Sequence, residues 1–129
     1  MSFVDGFVIA VPLANRQQFI DYAQMLDPVF LELGALRVLE CWGVDVPDGK
    51  VTDFRRAVAG EKDEAVCFSW IEWPDKATRD AGMAIMHELM TTDARFDQTR
   101  HPLPFDGQRM IYGGFETVVK IEKYRGAEQ

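Results

Sequence analysis

The stretch Ala65-Val66-Cys67-Phe68-Ser69-Trp70-Ile71-Glu72-Trp73 decides the fold, because it is apolar on both of its alternating parities. In an extended chain Val66, Phe68 and Trp70 point one way and Cys67, Ile71 and Trp73 the other, so the strand must be covered on both faces. Pro74 ends it. Phe3 to Pro12 has the same character, with Phe7, Ile9 and Val11 on one face and Val4, Val8 and Ala10 on the other. These two segments are the expected centre of a sheet.

Working outward, each central strand is followed by a helical pattern. After the first, Phe19, Tyr22, Ala23, Leu26, Phe30 and Leu33 recur at helical spacing, with Asn15 as the expected cap and Gly34 as the stop. Pro28 lies inside that pattern and predicts a kink or break near Asp27. After Pro74, Asp75 is placed to cap a helix whose Ala77, Ala81, Ala84, Ile85 and Leu89 form an apolar stripe, widened by Met83, Met86 and Met90. Arg37 to Val46 reads as a second strand. Arg109 to Glu122 reads as a fourth, with a bulge expected at Gly113-Gly114. The long connection from Pro47 to Glu64 carries an Asp48-Gly49 turn and a short helical turn capped by Thr52, and a loop of this length often covers a site. A shorter helical piece is expected through Phe96.

The order strand, helix, strand, strand, helix, strand folds, by the right-handed crossover rule, into an α+β domain with a four-stranded antiparallel sheet and both helices on one face. The other face would then expose an apolar patch of a kind that monomers avoid. Two sheets packed face to face remove it, so the expected assembly is a two-fold homodimer enclosing a barrel. At 129 residues the chain fits one domain, 1–129, with a frayed tail at 125–129.

Composition narrows the function classes. A formal charge of −7 repels nucleic acid and anionic membrane surfaces. The longest apolar run, Phe7 to Leu13, is too short to span a bilayer. The N-terminus lacks the features of a secretory signal, and a cytoplasmic address follows by default. Cys41 and Cys67 sit in strand-like runs and read as reduced core thiols. His87 and His101 have no Cys, His or carboxylate at compact ligand spacing, so no metal is expected. Nucleophile-elbow, phosphate-loop and dinucleotide motifs are absent, so no cofactor is expected either.

Several long segments carry a family resemblance. Val4-Asp5-Gly6-Phe7, Glu40-Cys41-Trp42-Gly43 with Asp45-Val46-Pro47-Asp48-Gly49-Lys50, Phe68-Ser69-Trp70-Ile71-Glu72, and Pro104-Phe105-Asp106-Gly107 through Gly113-Gly114-Phe115-Glu116 resemble the YbaA-like bacterial family, a domain of unknown function. The resemblance implies a ferredoxin-like βαββαβ fold of the dimeric α+β barrel type. Other proteins of that type include cofactor-free monooxygenases, haem-degrading enzymes and stress-responsive proteins, so the fold chooses no activity. His87 with Trp70 or Trp73 is a distant analogue of the haem enzymes' arrangement.

Candidate chemistry centres on two carboxylates. Glu40 and Glu72 lie in neighbouring strands, and alternation sets Glu40 with Trp42 and Glu72 with Trp70. Desolvation beside indoles favours a neutral carboxyl, able to act as a general acid or to hold a polar ligand. The competing reading pairs both with Arg37, Arg55, Arg56 or Arg109. Arg109, Tyr112 and Asp106 can present donors to an anionic or carbonyl ligand, or simply lock a turn. Asp5, among apolar neighbours, is expected to find a cationic partner. The function read from these residues is a homodimer binding a small, partly aromatic molecule through Glu40, Trp42, Trp70, Glu72, Arg109 and Tyr112. The alternatives are a cofactor-independent monooxygenase or isomerase using Glu40 and Glu72, and a structural or protein-binding stress factor.

Overall fold

The computed structural model describes residues 2–123. The expected frayed tail at 125–129 lies outside the described residues. Four strands, β1 (Phe3–Pro12), β2 (Arg37–Trp42), β3 (Glu64–Trp73) and β4 (Ile111–Glu116), form one antiparallel sheet in the order β2-β3-β1-β4. The two segments that are apolar on both parities are its two central strands. They pair along a ten-residue ladder from Phe3 opposite Trp73 to Pro12 opposite Glu64.

Helices α1 (Arg16–Leu26), α2 (Pro28–Glu32) and α4 (Lys76–Thr92) pack on one face; α3 (Phe54–Ala57) is a single turn in the long connection. Phe19 of α1 packs with Ile9, Val11 and Cys67 of the sheet; under α2 and α4 lie Phe3, Ala35, Ile71 and Trp73. The opposite face carries a smaller cluster, Val8, Ala10 and Val66, capped by Val58 just after α3. Beyond that cap, Phe68, Ile111 and Phe115 stand 44%, 44% and 62% exposed. The α+β architecture is therefore as expected.

Asp5 is buried on the helix-covered face, where an unpaired charge would be costly. It accepts hydrogen bonds from Trp73 Nε1 at 2.9 Å and Arg79 Nη2 at 2.9 Å, and the Arg79 guanidinium also lies 5.0 Å from the centre of the Phe3 ring. This tie between sheet and α4 is the expected structural pairing.

Several local expectations need correction. Asn15 makes no cap; its Nδ2 donates to Pro104 O at 2.9 Å and fastens the late loop to the start of α1. Asp53, not Thr52, caps α3, since its carboxylate lies within reach of the Arg56 amide. β2 stops at Trp42 rather than Val46, and β4 spans Ile111–Glu116 rather than 109–122. Gly113 and Gly114 pair in register with Gly6 and Asp5, so there is no bulge. The long connection packs at the open sheet face, with Phe54 meeting Phe68 edge-on at 6.2 Å. Finally, α4 buries Gly82 and Met86 and leaves Ile85 48% exposed, so the predicted alanine stripe faces outward.

Candidate functional site

The site begins at a helix break. Pro28 has no amide hydrogen to give an α-helical ladder, so α1 closes at Leu26 and α2 starts on Pro28 as its first residue. Asp27 is the hinge between them. Its backbone keeps helical angles (φ −60°, ψ −29°) and its amide still donates to Ala23 O at 2.8 Å, but its side chain caps neither helix. The carboxyl instead meets Glu40 of the edge strand β2.

Alternation along β2 puts Val38, Glu40 and Trp42 toward the helices. Ser69 of β3 lies directly opposite Glu40 in the ladder. Its hydroxyl, on a residue only 3% exposed, donates to Glu40 Oε1 at 2.5 Å. Asp27, Glu40 and Ser69 thus converge from three separate elements.

Two carboxyl groups in hydrogen-bond contact require a proton between them. Burial pushes the Asp27 carboxyl up first. The hydrogen bond to Glu40 and the repulsion of a second negative charge push it further, to about 9. At neutral pH the Asp27 carboxyl therefore keeps its proton, directed at Glu40. Tyr22 is raised by burial and by the charge of Asp27. The Cys67 thiol is driven by burial to about 12, which leaves it inert.

Two spaces meet at this pair. A cleft of about 590 Å³ runs between α1 and β2, with Arg16 at one end, its guanidinium 5.5 Å from the centre of the Trp42 ring. A deeper pocket of about 200 Å³ lies beneath α1, walled by Phe7, Ile9, Phe30, Ile71, Phe105 and Met110. Asp27 and Glu40 line both, so the carboxyl pair stands at the throat between an open cleft and an apolar interior.

The sequence-predicted residues are not all brought together. Glu40 and Trp42 are here, but Trp70 and Glu72 lie on the opposite, open face of the sheet. Glu72 pairs with Arg37, as the ion-pair reading expects, and accepts from Trp70 Nε1 at 3.3 Å. Arg109 is occupied elsewhere: Nη1 and Nη2 grip Glu64 at 2.7 and 2.6 Å, Nη1 also reaches Ala59 O at 2.9 Å, and Nε reaches Asp106 at 3.0 Å. That grip holds the Glu64 carboxyl down at about 2 and locks the turn before β4. Tyr112, on the edge strand, is 73% exposed and stacks on Phe7 at 6.2 Å. His87 is exposed on α4. Asp27 and Ser69 escaped the sequence reading. Ser69 left a signal, being the polar residue among Ala65, Cys67, Ile71 and Trp73 on the inward parity of its strand.

Among the described residues, no helix is long and apolar enough to cross a membrane. Residues 2–107 match the family described as a protein of unknown function, DUF1428. The uncharacterized protein YbaA of Escherichia coli strain K12 is 51% identical over 119 residues, covering 92% of this chain and 98% of that protein; YbaA of Shigella flexneri is similar to the same extent. Among solved structures, a dimeric ferredoxin-like protein from an uncultured marine organism superposes with a TM-score of 0.61 at 12% identity, over 93% of this chain and 98% of that one. That likeness shows the ferredoxin-like fold. With the family match and the relatives at 51% identity, the chain belongs to the DUF1428 family as a YbaA-like, bacterial-type domain of unknown function.

Proposed function

We propose that the chain is a cytoplasmic homodimer that binds a small, partly aromatic, uncharged molecule between α1 and the sheet. One observation carries the reading: an apolar pocket whose few polar groups, Asp27, Glu40 and Ser69, converge on its throat. A cleft of about 590 Å³ is in the size range of small-molecule sites. Once a ligand opens the Asp27–Glu40 hydrogen bond, the pair offers it one donor and one acceptor, which suits a carbonyl, hydroxyl or amide on an aromatic body and disfavours an anion. Two free thiols agree with a reducing compartment. The bare apolar face, and the description of the marine structural neighbour as dimeric, support the pairing of two copies.

Thermal unfolding tests the site. Phenol, benzamide and acetophenone should raise the melting temperature increasingly with concentration, and benzoate should not. Ala23 lines both the cleft and the pocket, so Ala23→Phe should abolish the effect. Equal stabilisation of both proteins, or none by any neutral probe, would overturn the proposal in favour of a structural or protein-binding role.

A further inference from the structure

The carboxyl pair has a property that simple binding does not require. Glu40 and Asp27 are in hydrogen-bond contact where both line the apolar pocket, and Ser69 donates to Oε1 of Glu40. In an enolisable ketone the carbonyl oxygen and a hydrogen on the neighbouring carbon lie along one edge of the molecule. A ketone that opens the Asp27–Glu40 hydrogen bond meets the Asp27 donor with its carbonyl oxygen and the Glu40 acceptor with its neighbouring C–H, along that one edge.

We infer that Asp27 and Glu40 catalyse keto–enol interconversion of a neutral aryl carbonyl compound held with its ring in the apolar pocket. This rests on the binding site proposed above and adds a reaction to it. The Glu40 carboxylate removes a proton from the carbon next to the carbonyl. The C–H electron pair becomes the new C=C bond, the C=O π pair moves to oxygen, and that oxygen takes the proton of the Asp27 carboxyl. The product is the enol, leaving Glu40 protonated and Asp27 ionised. In the return step Asp27 recovers the hydroxyl proton while Glu40 delivers its proton to carbon. No oxidant, reductant or cofactor is consumed.

The pair carries one proton and one negative charge before and after each half-reaction. No net charge is therefore created in the desolvated site, where doing so would be costly. A carboxylic acid kept neutral by apolar surroundings so that it can donate to a carbonyl oxygen is an established catalytic device, and acid–base groups placed this way contribute on the order of 10²–10⁴-fold. Arg16 lies at the far end of the cleft against Trp42, and Tyr22 borders Asp27 without taking part in the proton balance.

Phenylacetone is the probe. In D2O its benzylic hydrogens exchange on enolisation, which proton NMR follows as loss of signal, while saturation transfer from protein to its phenyl ring reports binding separately. The native protein should accelerate exchange over buffer. Glu40→Gln and Asp27→Asn should each lower the protein-catalysed rate by about 100-fold while keeping saturation transfer and near-ultraviolet circular dichroism. Glu40→Asp, which withdraws the carboxylate without removing it, should retain part of the rate. Binding without exchange, or exchange untouched by these substitutions, overturns the enolisation and leaves the binding site standing. Absence of saturation transfer in the native protein removes both.

Discussion

At the residue scale the decisive group is Asp27, a carboxyl that the fold holds protonated. Its value rises from an ordinary 3.8 to about 9 on folding, so between those limits the folded chain binds more protons at this position than the unfolded chain does. Stability must therefore fall as pH rises through the interval. Glu64 works in the opposite sense: held near 2 against an ordinary 4.5, it adds stability that is lost as pH falls from the ordinary value toward the folded one, so at higher pH the slope belongs to Asp27. Asp27→Asn should flatten the slope, because the amide donates to the Glu40 carboxylate without a titratable proton. Urea midpoints taken from about pH 5 to about pH 8 should converge at the acid end and favour the variant at the alkaline end. Parallel curves would mean that Asp27 is already ionised in the native protein. A substitution that strengthens the fold at a proposed site residue is the expected mark of a group kept for chemistry rather than for stability. Of the site, Glu40 and Trp42 were legible from alternation along one strand. Asp27 was legible only as the residue before a proline, because its meeting with Glu40 depends on how α1 lies across β2, which no local pattern encodes.

At the scale of elements, patterns rigid by sequence came through and phases set by packing did not. The break at Asp27–Pro28, the stop at Gly34 (φ +113°) and the Asp75 cap on α4 follow from backbone chemistry and stand where that chemistry puts them. The rotation of α4 does not follow from apolar periodicity, because one of its two buried positions, Gly82, is a residue with no side chain. A Cβ at Gly82 would lie 3.0 Å from Leu33 O and 3.0 Å from the ring of Trp73, a side chain fully buried beneath it. Counting alanines and leucines misses such a contact. Gly82→Ala gains about 1 kcal/mol of helix propensity but forces a methyl against a backbone oxygen and an indole that cannot retreat, which costs about 1–3 kcal/mol. The net expectation is a loss of about 1 kcal/mol, seen as a lower urea midpoint at unchanged slope. A gain would show that α4 can lift from Trp73. Gly113 and Gly114 teach the converse: a pair of glycines reads as a bulge, yet lies in an unbroken ladder opposite Gly6 and Asp5.

At the scale of the whole molecule, strands with two apolar parities predict two covers, and one chain supplies one of them. Helices α1, α2 and α4 close one face, whereas the other keeps Phe68, Ile111 and Phe115 in water around a shallow hollow of about 730 Å³. An isologous pairing of that face buries each residue twice, once per copy, so a single substitution is felt twice. Phe68 is the sharpest test. It lies on a central strand, packs against Trp70 at 5.6 Å, and meets Phe54 at the rim, so it belongs to the patch and not to the helix-side core. Phe68→Asp should place two unpaired carboxylates in the joint, at a cost that a patch of this kind cannot offset. Native protein at micromolar concentration should sediment at twice 14.7 kDa and the variant at 14.7 kDa, with its far-ultraviolet spectrum unchanged. Because the carboxyl throat opens on the opposite face of the sheet, the monomeric variant should still bind the neutral aromatic probes. Loss of that binding together with dimerisation would instead mean that the two faces are coupled through β2 and β3, whose residues serve both.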